Sequence, residues 1–446
     1  MLVDTIIEAR WVIPIVPKNV TLDNHAVVVN EGRIVDLLPI EDARQRYRAK
    51  DVVSLPTSAV MPGFVNLHSH AAMNLLRGLG PDLSLMDWLT KAIWPVEGKL
   101  MSHEFVRDGS FMAGVEMAKS GITCTSDHYF FPEAAAEGLR DAGLRCAVSA
   151  FVIGFPSAWA QNDTEYLDKS EQLIESLAGN PFVHTTIAPH APYTVCDDSL
   201  RRCAHISEKY NIPIHIHLNE TQTEVEGSLK EHGMRPTARL DKLGLVNERL
   251  VAVHNVHASD DELKLLASVG ASMAHCPCSN LKLASGFAPV AKALDAGVNV
   301  GIGTDGVASN DKLDMLGETR LAAMLAKAVI GDTTKATVAD MLEAATLGGA
   351  RALHWDHEIG SVEKGKAADL IAINLESAYT IPVSDPAAQI LYAADRENIT
   401  HTWVAGCLIA THTGEVKGEK FDSDQKLMDS VKALALKWQN KRCDAH

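Results

Sequence analysis

The sequence predicts an α/β protein: a (β/α)8 TIM-type barrel with a small β-sandwich domain built from both chain ends. Three observations predict it. Between residues 59 and 360, eight short apolar runs alternate with helical patterns, as expected of repeated βα units around a parallel sheet. Nearly every run ends in a polar or ionisable residue. In a closed barrel those C-terminal ends converge on one face, which favours the barrel over an open doubly wound sheet. Finally, turn-rich β segments flank the region on both sides, at residues 1–58 and 361–420, and a tail at 421–446 follows.

A chain of 446 residues has room for a large barrel plus an accessory domain. With 46% hydrophobic and 22% charged residues it can bury a sizeable core without a disulfide. The formal net charge is −16 and Lys/Arg residues do not cluster, which sets nucleic-acid binding aside. Residues 1–15 carry Asp4, Glu8 and Arg10 and lack the pattern of a secretory signal. No apolar run has the length of a transmembrane helix. The eight cysteines are scattered, and the closest pair, Cys276 and Cys278, has no second pair to complete a four-ligand set. The expectation is a reduced, cytoplasmic protein with no membrane partner.

Taken in order, residues 1–58 hold short strands at 5–7, 26–29 and 33–35, with a turn at Asn30-Glu31-Gly32. Barrel strands are expected at 64–68, 122–127, 145–151, 183–188, 214–217, 250–254, 272–275 and 298–304. The first βα connection, 71–100, is long and carries Arg77, Trp88, Trp94 and Glu97, as a functional lid would. Residues 338–354 read as helix. Past Gly360 come a turn and a buried-type strand, then strands at 400–404 and 408–410. The segment 424–440 reads as an amphipathic helix with Leu427, Val431, Leu434 and Leu436 on its apolar side.

The chemistry gathers at the strand ends. His68 and His70 close the first strand, and alternate residues of a strand share a face, so both imidazoles can approach one metal ion. His217 closes the fifth strand as a third candidate; His215 shares its face and is not excluded by spacing. Glu220, three residues later, could reach a metal-bound water. His254 closes the sixth strand and could hydrogen-bond that water. His190 lies just past the fourth strand, within reach of a substrate. His275 closes the seventh without an assigned role. Asp305 follows the eighth strand, beside the first across a closed barrel. Three imidazoles, one carboxylate and an open position make a catalytic metal pattern. The run Gly301-Ile302-Gly303-Thr304-Asp305-Gly306 matches a dinucleotide fingerprint but lacks its βαβ setting near the start of a Rossmann unit. No G-x-S-x-G elbow is present. The fourth strand has no terminal lysine to bridge two metals, which favours one.

These pieces resemble the amidohydrolase superfamily. The resemblance rests on Pro62-Gly63-Phe64-Val65-Asn66-Leu67-His68-Ser69-His70, His217-Leu218-Asn219-Glu220, Val253-His254-Asn255-Val256-His257, His275-Cys276-Pro277-Cys278-Ser279-Asn280, Gly303-Thr304-Asp305-Gly306 and Gly365-Lys366-Ala367-Ala368-Asp369-Leu370. More narrowly, Asn74-Leu75-Leu76-Arg77-Gly78, Asp87-Trp88-Leu89, Trp94-Pro95-Val96-Glu97 and Pro189-His190-Ala191-Pro192-Tyr193 are similar to the 5′-methylthioadenosine/S-adenosylhomocysteine deaminases. The resemblance implies one zinc ion per subunit, or another divalent transition metal, on His68, His70, His217 and Asp305. It implies that Glu220 shuttles protons, that His254 and Asp305 orient the water, that His190 contacts the base and that Glu97 holds the ribose hydroxyls. Trp88 could stack on the substrate or pack within the lid. The implied reaction is hydrolytic deamination of an adenine nucleoside to its inosine derivative and ammonia through a metal-activated water. The third strand end reads Ser149-Ala150-Phe151-Val152, without the arginine that can meet a homocysteine carboxylate. That departure favours 5′-methylthioadenosine over S-adenosylhomocysteine, with adenosine a further candidate. The rival reactions on the same scaffold are guanine, pterin or cytosine deamination and triazine dechlorination. A homodimer is expected, as large barrels with accessory sandwiches often pair.

Overall fold

The computed structural model describes residues 1–411 and 423–444. Residues 412–422, part of the expected β segment and tail, and residues 445–446 lie outside the described residues. The chain opens with strands β1 (Leu2–Val12), β2 (Leu22–Asn30), β3 (Arg33–Pro39) and β4 (Arg48–Pro62). β2 turns into β3 at Glu31 and Gly32, whose φ angles of 50° and 75° suit a tight hairpin. Glycine is required at the second position, since a Cβ there would stand 2.8 Å from the carbonyl oxygen of Ala405.

The barrel follows directly. Its strands are β5 (Phe64–Ser69), β6 (Ile122–Asp127), β7 (Arg145–Val152), β8 (Val183–Pro189), β9 (Ile214–Leu218), β10 (Leu250–His254), β11 (Ser272–His275) and β12 (Asn299–Ile302). They pair in parallel and in chain order. Nearly every strand residue is buried, because helices cover the outside and side chains fill the inside. The last strand is shorter than expected for a reason that matters to the site. After Ile302 the backbone leaves its ladder, and the amides of Thr304 and Asp305 donate to the carbonyl oxygen of His68, at 3.1 and 2.9 Å. An isolated parallel bridge pairs Ser69 with Asp305. This stitch joins β12 to β5.

The glycines of the 301–306 run serve that closure. A Cβ on Gly301 would lie 2.4 Å from Leu67 Cδ2, and one on Gly303 would lie 2.9 Å from the backbone nitrogen of His68. The run brings two strands together and has no dinucleotide-binding setting.

Three further strands, β13 (Leu370–Asn374), β14 (Ile399–Val404) and β15 (Cys407–Thr411), complete a seven-stranded sheet in the order β15-β14-β13-β4-β1-β2-β3. β13 runs antiparallel to the end of β4, placing Leu370 opposite Pro62. Ile7, Val27, Ile34, Val60, Leu370 and Trp403 share one apolar core, so both chain ends build a single β domain that fits the expected sandwich. A buried ion pair, Arg145 Nε to Asp369 Oδ2 at 2.6 Å, joins it to the start of β7.

The long first connection is built of short helices. A 3₁₀ turn spans Ala71–Leu76, a π-helical turn spans Trp88–Ile93 and a helix spans Trp94–Leu100. The C-terminal helix, Ser423–Asp444, departs from its expected apolar side. Leu436 is exposed and Trp438 is the buried anchor, edge-on to Phe105 at 5.1 Å with its indole N–H on Asp108. Residue 438 lies four positions after Leu434, on the same face, whereas 436 lies two positions after it and is turned away. Among the described residues, no helix is long and apolar enough to cross a membrane.

Candidate active site

At the C-terminal mouth of the barrel, Nε2 of His68 stands 3.2 Å from Nε2 of His217 and 3.4 Å from Oδ1 of Asp305. Nε2 of His70 stands 3.1 Å from the same carboxylate oxygen. Each imidazole is fixed from behind. His70 Nδ1–H donates to the carbonyl of His128 at 2.5 Å, and His217 Nδ1–H donates to the carbonyl of His190 at 2.7 Å. His68 Nδ1 meets Nε2 of His215 at 2.9 Å. A histidine whose Nδ1 carries the proton leaves its Nε2 lone pair free, which is how metal ligands are commonly oriented. The structure thereby separates the two histidines of β9: His217 faces the cavity, and His215 lies one layer deeper, behind His68.

Burial drives the electrostatics. It pushes His68 down to about 4 and His217 well below the usual imidazole value, so both rings are neutral. Burial opposes ionisation of Asp305, but in the metal-free protein protons on the facing Nε2 atoms of His68 and His70, which a metal would displace, hydrogen-bond to it and hold the carboxyl well below its ordinary range. Its Oδ2 accepts from Ser279 Oγ at 2.5 Å and Ser309 Oγ at 3.0 Å. Convergent lone pairs on three imidazoles, one ionised carboxylate and oriented outer nitrogens together fit a divalent transition metal.

Beside this cluster, the amides of Asn219 and Glu220 donate to Glu224 at 2.9 and 2.8 Å, fixing the backbone that carries Glu220. Burial raises the Glu220 carboxyl above its ordinary value. Its Oε2 lies 3.9 Å from Nε2 of His254, whose Nδ1–H donates to Asn280 Oδ1 at 2.8 Å. Asn219, His254, Asn255 and Asp305 all adopt positive φ, between 49° and 67°. Such conformations cost about 1–3 kcal/mol each and concentrate where side chains must be aimed.

One cavity is walled by His70, His217, Glu220, His254 and Asp305 at the metal end, and by His190 and Tyr193 along one side. The lid contributes Trp88, Leu89, Ile93, Trp94 and Glu97, and Phe130, Phe151 and Ile153 add apolar wall. Glu97 accepts from the Tyr129 hydroxyl, and burial raises its carboxyl to about 7. Trp88 both lines the cavity and packs, since its indole N–H reaches the carbonyl of Leu79 at 3.3 Å. Every residue singled out for catalysis, substrate contact or metal binding therefore meets at this one place. His275 does not line the cavity; its carbonyl accepts the Gly303 amide. Arg77 pairs with Glu116 and supports the lid base. Sequence reasoning passed over His128 and Tyr129, and quoted Ser279 and Asn280 in a motif without giving them a role. For the first two a signal existed, because Asp127-His128-Tyr129 stands at the end of the second strand.

The fold and this side-chain set define a class of barrel hydrolases that work with a divalent metal at the strand ends. The chain belongs to the amidohydrolase family, whose model matches residues 59–429. It is 40% identical over 404 residues to the 5-methylthioadenosine/S-adenosylhomocysteine deaminase of Teredinibacter turnerae, covering 91% of each chain. The enzyme of the same name from Thermodesulfovibrio yellowstonii is 40% identical over 406 residues, covering 91% of this chain and 92% of that one. A solved structure of an adenosine deaminase from Xanthomonas campestris with bound zinc superposes with a TM-score of 0.95, at 44% identity over 99% of both chains.

Proposed function

We propose that this protein hydrolytically deaminates an adenine nucleoside, 5′-methylthioadenosine first among them, to the inosine derivative and ammonia. The observation that carries the proposal is that Glu97 lines the same cavity as Glu220, His254 and the histidine–aspartate cluster. A bare base offers no hydroxyls to a second buried carboxylate on the lid, whereas a ribose does. The relatives' names point the same way.

The residue roles are part of the proposal. One zinc ion per subunit would be held by His68, His70, His217 and Asp305, where it supplies Lewis acidity that brings the pKa of water to about 7. Glu220 takes the proton of the attacking water on its carboxylate and delivers it to N1 of the purine. His254 Nε2 and the Asp305 carboxylate steady the hydroxyl that adds to C6; its remaining proton passes to the 6-amino group, the C6–N bond breaks and ammonia leaves. His190 contacts the base, Glu97 accepts the ribose hydroxyls and Trp88 closes over the base. Among the described residues, neither Lys nor Arg lines the cavity, and Phe130, Phe151 and Ile153 offer an apolar surface. This supports an uncharged 5′ group such as methylthio over a homocysteine carboxylate.

The test follows the change in ultraviolet absorbance when zinc-loaded protein meets 5′-methylthioadenosine, adenosine, S-adenosylhomocysteine and guanine. Turnover should be fastest on the first; no turnover of any adenine nucleoside overturns the proposal. A cytoplasmic homodimer completes it, and light scattering at the mass of a single chain would refute the dimer.

A further inference from the structure

His128 has no part in the roles above, yet its position asks for one. It is the first residue past β6, and its backbone is fully used: its amide donates to Ser69, and its carbonyl accepts from His70. Its side chain is completely buried, and neither ring nitrogen has a hydrogen-bond partner. Buried polar atoms are almost always paired, so two orphan nitrogens on one ring call for a bound partner. The ring lines the substrate cavity. It packs edge-on to Phe151 at 5.2 Å and tilted over His217 at 4.8 Å, with His190 6.3 Å away.

We propose that His128 is a substrate-contact residue that donates its ring N–H to a purine acceptor away from the reacting edge, either N3 or N7. This rests on the nucleoside reading above. The C6–N1 edge belongs to Glu220, His254 and Asp305, and the ribose hydroxyls belong to Glu97. His128 stands between His190 and the imidazole cluster, 5.5–5.8 Å from His68, His70 and His215, and the purine acceptors left over are N3 and N7. A neutral imidazole offers one donor, which suits either. One His128 nitrogen also lies within 4.8 Å of ligand atoms on His68 and His217. Metal ligation is the poorer use of it, because His68, His70, His217 and Asp305 already supply four donors and water needs the remaining place.

The experiment measures kcat/KM for 5′-methylthioadenosine and its 3-deaza and 7-deaza analogues with wild-type, His128→Leu and His128→Gln proteins. Metal content after dialysis is measured on each. His128→Leu should retain metal and lose about tenfold or more on the natural nucleoside. One deaza analogue, penalised in wild type, should lose nothing further in His128→Leu. His128→Gln, which keeps a donor, should recover part of the loss. Equal fractional losses on all three substrates would refute the contact. So would dialysis that strips metal from His128→Leu but not from wild type, since that makes His128 a ligand. If His128→Leu does not fold, His128→Phe, which also lacks a donor, reads the same coupling. Wild-type protein inactive on every adenine nucleoside would overturn the nucleoside reading and this contact with it; an active wild type without coupling overturns the contact alone.

Discussion

Glu220 and Glu97 are both buried carboxyls with raised pKa values, and burial is the main cause in each. Their consequences differ. Glu220 faces His254 and the cluster, where a proton must be taken up and passed on. Glu220→Gln keeps the shape and removes the base, so kcat should fall by about two to four orders of magnitude. Metal content should stay at the wild-type level, and parallel metal analysis and initial rates check both halves. Glu97 titrates near 7, within the working range of an enzyme. Hydroxyls donate more strongly to a carboxylate than to a neutral acid. The KM of a ribonucleoside should therefore fall as pH rises through about 7, while that of a 2′,3′-dideoxy analogue should not follow. Stability runs the other way. The unfolded carboxyl ionises at its ordinary value near 4.5, before the folded one does, so the free protein loses stability as pH climbs from there to about 7. Glu97→Gln should flatten that fall in melting temperature.

Among the elements, the joint between β12 and β5 couples packing to the site. The same amide of Asp305 that closes the barrel sets this carboxylate beside His68 and His70. Gly303→Ala would press a methyl to 2.9 Å from His68 Cβ and 3.0 Å from Cys276 Sγ, at a place where neither can give way freely. We expect a lower melting temperature together with faster metal loss to a chelator. Gly227→Ala, on an open helix surface, is the control and should stabilise by about 0.4–1 kcal/mol. The eight strands and their reactive ends were readable in the sequence because apolar runs repeat and strand ends share one address. What lies behind them was not. Choosing His217 over His215 requires knowing which layer each occupies, and Asn280 reaches His254 from the helix after the neighbouring strand. The lid's short helices and the anchor Trp438 depend on partners far along the chain.

Over the whole molecule, the barrel and the β domain are held by a clasp whose halves lie 224 positions apart. The run Gly365-Lys366-Ala367-Ala368-Asp369-Leu370 could be read as a familiar signature, but the work of Asp369 is visible only in three dimensions. Asp369 Oδ2 takes the guanidinium of Arg145, and Oδ1 takes the amide of Ala405 at 2.7 Å. Arg145 also donates to the carbonyl of Pro181 at 2.6 Å. Both side chains are almost fully buried, at 5% and 1% exposure, so solvent screens them little. Removing one partner from such a pair strands a charge, at a cost of about 3–5 kcal/mol, whereas replacing both with apolar groups is often nearly neutral. Asp369→Ala should therefore lower stability strongly, and Arg145→Leu combined with Asp369→Leu should recover part of the loss. Arg145 begins β7, at the barrel end opposite the reactive mouth, so folded Asp369→Ala protein should keep a near-normal kcat. Denaturant melts and active-site-normalised rates on the three proteins separate the effects. A single-variant loss under about 1 kcal/mol would mean the pair behaves like a surface ion pair, and the two domains are held by their apolar contacts alone.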